Sequence, residues 1–313
     1  FVFGLAQGGI YALIALGYTL VYGIVELINF AHGEVFMMGA FCALTVIAAT
    51  GVSSASPALA IFGAAALGLL AAMVFSAVIN FSIDRIAYRR LRNAPRLAPL
   101  IAAIGFSFIL QNIGIYWKGS NPVTPPQLIP VKYRSYNILN EWFNLGTRVR
   151  IRPLDLAVVG LTIPLLFALT WLVYRTRLGK AMRAVAQDRE AAALMGVDVN
   201  RAIASAFVLG GALAGAAGMI ALYYNNSARY QMGFRYGLFA FTAAVLGGIG
   251  NMAGAVVGGL FIGLVWAFSD GFMKEYISGW GAQWTPAVIF AVLVLVMVFR
   301  PTGLLGERTP EKA

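Results

Sequence analysis

Residues 1–25, FVFGLAQGGIYALIALGYTLVYGIV, contain no charged side chain, and neither do residues 35–83. A helix needs about 20 apolar residues to cross the hydrocarbon core of a bilayer, and charge-free stretches of this length are too long for a soluble core helix. Of the 313 residues, 60% are hydrophobic and 11% are charged, whereas about a quarter are charged in an ordinary soluble domain. The sequence therefore predicts an all-α polytopic membrane protein.

Apolar stretches divide the chain into about eight predicted transmembrane helices. They lie at roughly 1–27, 34–50, 58–82, 97–117, 155–174, 202–223, 237–268 and 284–299. The first has neither a basic segment before it nor a clear small-x-small cleavage site, so we interpret it as a retained span rather than a signal peptide. The seventh is long enough to be a broken helix or a pair of helices. All of them belong to one transmembrane domain, 1–313.

The basic residues predict the orientation of the spans. The formal charge is +11, and 14 of the 23 Lys and Arg residues lie in segments 84–96, 175–201 and 300–313. Because cytoplasmic loops are enriched in Lys and Arg, we place these segments, including the tail 300–313, in the cytoplasm. The connection 118–152 is then an external loop, although its six basic residues conflict with that rule. If every span crosses fully, the N-terminal end is outside, whereas a re-entrant segment near 29–40 would reverse it.

The loop RLGKAMRAVAQDREAAALMG, residues 177–196, is rich in alanine and straight-chain side chains and so favours a helix. Gly196 suits the position just after the end of that helix. Apolar residues recur every three to four positions on one face of that helix, and polar and basic residues do so on another face. The segment is too charged to cross the membrane. Two interpretations stay open: an interfacial helix that anchors two spans, or a docking helix that fits a groove on a soluble partner.

The segment EAAALMG, residues 190–196, resembles the EAA-x-x-x-G loop of ABC importer permeases. It departs from that pattern about ten residues on, where Ala206-Phe207-Val208 replaces the usual Leu-Pro. The stretches GIYALIALGYTL (9–20), NFAHGE (29–34), VLGGIGNMAGAVVGG (245–259) and FRPTGLL (299–305) are similar to the LivH-type permease of branched-chain amino acid importers. This resemblance covers nearly the whole chain.

The resemblance implies a permease subunit of an ATP-driven importer in the bacterial cytoplasmic (inner) membrane. It would translocate branched-chain or related neutral amino acids delivered by an external, periplasmic binding protein. The implied partners are a second homologous permease, two ABC ATPase subunits and membrane lipids. No nucleic acid is expected, because binding it would require a water-soluble fold. No cofactor and no enzymatic activity are expected on this chain: it lacks the G-x-x-x-x-G-K-[ST] motif, so the partner ATPases would bind ATP and Mg.

The segment 175–201 would then be the coupling loop that meets the ATPase. Its candidate coupling residues are Arg183, Asp188, Arg189, Glu190, Ala191, Ala192 and Gly196.

Polar residues also interrupt the apolar pattern at ELINFAHGE, residues 26–34. An ionisable group at the bilayer centre costs about 2.5–3.5 kcal/mol on insertion scales, so these groups are interfacial, or are paired and face a cavity. If the helix is broken or re-entrant near 29–34, free N–H groups of the next helix could face the transport pathway. The alternative is a hairpin turn in which Asn29 and His32 cap helix ends.

A second predicted break, at 247–254, aligns Asn251-x-Ala253 with Asn29-x-Ala31 and indicates an inverted repeat of residues 1–118 and 154–270. The candidate pathway or gate residues are Tyr11, Glu26, Asn29, His32, Glu34, Gly250 and Asn251.

Three alternatives to this prediction involve another substrate or another class of membrane protein. A urea or short-amide ABC importer permease shares the same motifs. An ion-coupled secondary transporter would need a buried carboxylate relay or cation site, whereas Asp155 and Asp270 lie near span ends. An intramembrane enzyme is disfavoured because the chain has one His and one Cys; these counts also exclude a disulfide framework and a His-rich metal site.

Overall fold

The computed structural model describes residues 2–91, 94–95, 97–130, 136–138, 151–277 and 279–306. Its helices are α1 Val2–Val25, α2 His32–Ala49, α3 Ala58–Ile83, α4 Leu97–Lys118, α5 Pro153–Arg175, α6 Arg177–Gln187, α7 Arg189–Leu194, α8 Val199–Asn225, α9 Met232–Gly247, α10 Met252–Ala267 and α11 Thr285–Phe299. A π-helical turn and a short helical turn extend α3 to Leu91, and the same sequence of turns extends α10 to Tyr276.

Seven helices within these ranges are long and apolar enough to cross a membrane, namely α1, α2, α3, α4, α5, α8 and α10 with their extensions. The shorter apolar helices are α9 and α11. The prediction of an all-α polytopic membrane protein is confirmed, and the seventh apolar stretch is a pair of helices. Gly248 and Gly250 separate that pair with φ values of 101° and 95°, a backbone conformation that glycine adopts without steric cost.

The first break lies earlier than predicted. The helix α1 ends at Val25, Glu26 has a φ of 58°, and α2 begins at His32. The break therefore spans residues 26–31 rather than 29–34. His32 and Glu34 lie in the first turn of α2 instead of in the connecting segment.

The helices form an inverted repeat. Helix α1 packs antiparallel to α8, since the Tyr224 hydroxyl lies 3.4 Å from the Phe3 carbonyl while Gly17 faces Gly210. Helix α1 packs on α10 as α8 packs on α3, and α2 packs on α3 as α9 packs on α10. The helix pairs α2–α4 and α9–α11 continue the pattern. The repeat thus relates α1–α4 to α8–α11, with α5, α6 and α7 between them.

The predicted first half of the repeat, 1–118, coincides with α1–α4, whereas the second half is 199–299 instead of 154–270. Glu26, which follows α1, corresponds to Asn226, which follows α8 and has a φ of 52°. Asn29 and Asn251 share only local chemistry: the Ala31 N–H donates to the Asn29 side chain at 3.2 Å, and the Gly254 N–H donates to the Asn251 side chain at 2.9 Å. An Asn side chain that accepts a backbone N–H is common wherever a helix begins, so the short sequence match did not mark equivalent positions.

Helices α1, α2 and α8 make up most of the buried core, whereas α3, α4 and α5 expose much of their apolar surface. Extensive exposed apolar surface is rare on a soluble monomer. On a membrane protein such a surface contacts lipid or other spanning helices.

Three basic segments lie at one end of this helix bundle, here called the basic end. The hydroxyl of Tyr88, which lies within 84–91, donates to the Ile28 carbonyl at 3.0 Å. Arg189 donates to the carbonyls of the last residues of α1. The Asn251 side chain donates to the Leu305 carbonyl at 2.7 Å. Segments 84–91, 177–201 and 300–306 thus share one end, as expected if all three are cytoplasmic.

The opposite end carries the part of the 118–152 connection that the structure describes. Val123 and Ala228 exchange two backbone hydrogen bonds of 2.9 Å, so this connection covers the α8–α9 turn. Four of its basic residues, at 132, 134, 148 and 150, lie outside the described residues. The remaining placement of the predicted external loop stays a prediction.

Candidate functional sites: the coupling loop and the central crossing

The predicted coupling helix, 177–196, is two helices instead of one. Asp188 ends α6 and begins α7 with φ −156° and ψ 117°, an extended backbone. Its carboxylate accepts the N–H groups of Glu190 and Ala191 at 2.9 and 3.0 Å. Asp is a strong N-cap residue because it satisfies these otherwise unpaired donors. The expectation of a single helix failed because helix propensity alone ignores this local competitor.

Gly196 occupies the predicted position after α7. Its φ is 83°, its N–H donates to the Ala193 carbonyl at 3.0 Å, and the Val197 N–H donates to the Ala192 carbonyl at 3.0 Å. This pair of bonds is the Schellman motif, which closes a helix with a left-handed residue. Asp188 and Gly196 therefore fix both ends of α7.

Two arginines attach the coupling loop to the transmembrane helices. Arg189 donates to the Ile24 carbonyl at 3.0 Å and to the Val25 carbonyl at 2.9 Å. Arg183 donates to the Val173 carbonyl, and its guanidinium lies 5.2 Å from the centre of the Tyr174 ring. Both arginines bind carbonyls at helix C-termini, where a positive charge is favourable. They therefore anchor α6 and α7 to α5 and α1.

The surface that α7 and the residue after it turn away from the bundle is exposed and carries two large apolar side chains. Leu194 is 88% and Met195 84% exposed, whereas Ala192 is buried. Glu190 and Ala191 are also exposed. The candidate coupling residues thus divide into anchors that face the bundle and a surface that faces away from it.

At the centre of the bundle, α2 and α9 cross near their N-terminal ends. A Cβ atom on Gly33 would lie 2.9 Å from the Gly237 Cα and would collide with the Gly233 carbonyl. A Cβ atom on Gly237 would in turn lie 2.8 Å from the Gly33 Cα. Only glycine permits backbones to approach this closely. Gly33 and Gly233 also stand at matching positions of the repeat.

Glu34 lies at this crossing and is 1% exposed. The Gln111 side-chain N–H donates to Glu34 Oε1 at 2.8 Å, and the Ser107 hydroxyl lies 3.4 Å from the same oxygen. Glu34 Oε2 is close to Gly233 and has no hydrogen-bond partner among the described residues. A carboxylate in the first turn of α2, beside the N-terminus of α9, is favoured by both helix dipoles. Glu34 thus connects α2, α4 and α9.

Asn29 joins the first break to two further helices. Its side-chain N–H donates to Asn80 Oδ1 at 3.0 Å, and Asn80 donates to the Phe207 carbonyl at 2.7 Å. His32 packs against the Tyr18 ring, with 4.8 Å between ring centres, and close to Gly17. Asn29 therefore makes the local contact of a turn together with an interhelical hydrogen bond, while His32 packs inside the bundle.

The other four candidate pathway residues divide between the interior of the bundle and its basic end. Tyr11 is buried on α1, with its ring centre 5.5 Å from that of Tyr236. Glu26, Gly250 and Asn251 lie at the basic end, where Asn251 caps α10. The structure thus brings Asn29, His32 and Glu34 near the central crossing and packs Tyr11 on α9 beside it, but leaves the other three residues at the basic end.

Sequence reasoning missed Asn80, Ser107, Gly233 and Gly237 as members of this crossing. Asn80 and Ser107 are isolated polar residues inside apolar spans, which is the signal that could have singled them out.

The opposite end contains a polar cluster at the start of α5. Arg152 Nη2 lies 2.7 Å from Asp155 Oδ1, and the Tyr224 hydroxyl donates to that oxygen at 3.1 Å. The Arg152 guanidinium lies 5.3 and 5.1 Å from the Phe3 and Tyr224 ring centres. Hydrogen bonding to Asp155 raises the pKa of Arg152 above its usual value. The cluster ties α1, α5 and α8 together at this end.

Comparison with known proteins places these features in a family. The family model described as branched-chain amino acid transport system / permease component matches residues 1–297. The chain belongs to this family of permease components. The LivH-type resemblance is thereby confirmed, and the chain is a multi-pass membrane permease.

Known permeases are similar in sequence to this chain over nearly its whole length. BraD of Pseudomonas aeruginosa, a high-affinity branched-chain amino acid transport system permease protein, is 41% identical over 99% of this chain and 95% of its own. LivH of Escherichia coli K12 carries the same description and is 38% identical over 99% and 95%. The ribose import permease RbsC of the same bacterium is 26% identical over 93% and 83%. The search of solved structures found no match.

Proposed function

We propose that this permease imports branched-chain or related neutral amino acids that an external binding protein delivers. It works with a second homologous permease and two ATPase subunits in the bacterial inner membrane, and those ATPases bind ATP and Mg while this chain holds no cofactor. The names of the relatives at 41% and 38% identity support the substrate class. Because a more distant relative is named for ribose, membership of related permease families does not by itself set the substrate.

The observation that carries the coupling role is the position of α7. It lies at the basic end with Leu194 and Met195 exposed, and a short apolar helix face is what a groove on a partner protein binds. Arg189 links this helix to the last two carbonyls of α1. A displacement of α7 by an ATPase would therefore move the end of α1 and with it the break at 26–31.

Replacing Gly196 with proline tests this role. Proline fixes φ near −65° and removes the N–H, whereas Gly196 has a φ of 83° and donates to Ala193. We expect Gly196→Pro to insert normally but to lose most uptake and its coupling to ATP hydrolysis. Reconstituted complexes in proteoliposomes allow both activities to be measured together.

Gly51→Pro is the matched control. Gly51 has a φ of 65°, donates to Ala48 in the same geometry and lies in open space at the opposite end of the bundle. We expect this variant to stay coupled. Normal ATP-driven uptake by Gly196→Pro would refute the docking role.

Competition experiments test the substrate. Uptake of labelled leucine by the complete complex should be reduced by unlabelled isoleucine and valine, less by alanine, and not by urea. Efficient competition by urea would instead support the short-amide alternative. Uptake that persists without ATP but requires an ion gradient would contradict the ATP-driven proposal.

A further inference from the structure

A cavity of about 100 Å³ lies between α1, α5, α6 and the break that precedes α10. Its buried walls are Thr19, Leu20, Ile24, Val173, Met182 and Met252. Its exposed rim includes Tyr174, Ala186 and Gly250, together with the half-buried Arg183. Since α6 forms one wall and belongs to the basic end, the cavity opens toward that end. It is distinct from the crossing of α2 and α9.

Besides its apolar walls, the cavity has two polar side chains with hydrogen-bonding capacity left over. Thr19 is 1% exposed, and its hydroxyl has no hydrogen-bond partner within the described ranges. A buried hydroxyl without a partner is unfavourable, so it is a ready contact for a bound polar group. Arg183 uses one of its five N–H donors on the Val173 carbonyl. The remaining donors suit a carboxylate at the rim.

The size of the cavity limits the apolar part of a ligand. A cavity of about 150 Å³ lined by aliphatic and aromatic side chains accommodates benzene. The present cavity, at about 100 Å³, therefore suits a branched alkyl group of three or four carbons. An extended acyl chain would be too long for it.

We propose that this cavity binds a branched-chain amino acid from the cytoplasmic side. The carboxylate of the ligand lies at Arg183, its side chain against the apolar walls and its ammonium group at the Thr19 hydroxyl. This inference rests on the proposed function, because it takes the imported amino acid as the ligand. A ligand held between α6 and the 248–251 break would resist relative movement of the coupling loop and α10. The imported amino acid, once it has accumulated in the cytoplasm, thereby slows further import.

The ATPase activity of the complete complex in nanodiscs tests the proposal. The binding protein is first saturated with micromolar leucine, and leucine is then raised to millimolar concentrations. We expect the ATPase rate of the wild type to fall several-fold, and alanine to be much less effective because it lacks a branched side chain.

Two variants separate ligand binding from other effects. Thr19→Val keeps the shape but removes the hydroxyl, and the loss of one hydrogen bond should raise the inhibitory leucine concentration about two- to tenfold. Ala186→Trp fills the exposed rim and should abolish the inhibition, measured as the ratio of the ATPase rates of that variant at micromolar and millimolar leucine. Leu178→Trp places the same side chain on α6 at an exposed position away from the cavity and should leave the inhibition intact.

Three results would overturn this inference. They are the absence of inhibition by millimolar leucine in a complex that imports leucine, an unchanged inhibition in both cavity variants, and a fall in the ATPase rate that requires anionic phospholipid instead of leucine and is lost in the cavity variants. The last result would assign the cavity to lipid. A complex that fails to import leucine at all would instead contradict the proposed function, so the two failures are distinguishable.

Discussion

Replacing Gly33 with alanine adds one methyl group where α2 crosses α9. The three nearest atoms to the new Cβ are all backbone atoms of α9: the Gly233 carbonyl oxygen, the Gly237 Cα at 2.9 Å and the Gly233 carbonyl carbon at 3.2 Å. No side-chain rotation can relieve these contacts. The two helices must therefore move apart or tilt.

Two opposing effects set the change in stability that Gly33→Ala causes. Alanine in a helix is more favourable than glycine by about 0.5–1 kcal/mol, and overpacking typically costs about 1–3 kcal/mol. Since backbone atoms cannot give way independently, we expect the upper part of that range and a net destabilisation of about 1–2 kcal/mol. Separation of the helices would also disturb Glu34, whose carboxylate lies beside Gly233.

Denaturant unfolding of the purified protein in detergent measures this effect. Gly63→Ala is the matched control, because Gly63 is an exposed helical glycine with nothing within 4 Å of its would-be Cβ. We expect this control to be neutral or stabilised by up to about 1 kcal/mol. A Gly33→Ala protein as stable as Gly63→Ala would show that the crossing is not tightly packed.

Glu34→Ala should destabilise the protein by about 1–3 kcal/mol because the Gln111 donor loses its buried acceptor. Glu34→Gln keeps an acceptor oxygen and should retain most of the stability. Equal stability of the two variants in detergent unfolding would contradict the role assigned to this hydrogen bond. Asn251→Ala removes the cap of α10 and the hydrogen bond to the Leu305 carbonyl. Loss of the cap should cost about 1 kcal/mol, and limited proteolysis should cleave the tail after 300 faster than in the wild type. An unchanged cleavage rate would mean that other contacts hold the tail.

The sequence predicted the features that depend on local composition. Charge-free stretches define spans because a charged group inside the hydrocarbon core is costly whatever the fold. The grouping of basic residues predicted which loops share one end of the bundle, and Gly196 was recognised because a helix end that needs a positive φ favours glycine. Each of these inferences uses only neighbours along the chain.

The limits of the first break and of the coupling helix were harder to predict. Apolar pattern and propensity did not show that Glu26, rather than Asn29, begins the break, or that Asp188 divides the loop into two helices. Both depend on capping contacts that compete with helix continuation.

The pairing of helices was decided only by the tertiary structure. Glu34 and Gln111 are 77 residues apart, and Gly33 meets Gly233 across 200 positions of the chain. Nothing near either residue in the sequence specifies such a partner, because contacts between spans depend on which helix faces come together when they pack. The sequence by itself therefore determined that this is a membrane-spanning helical protein with a basic end and a candidate coupling loop. Packing determined the inverted repeat, the glycine crossing and the carboxylate held within it.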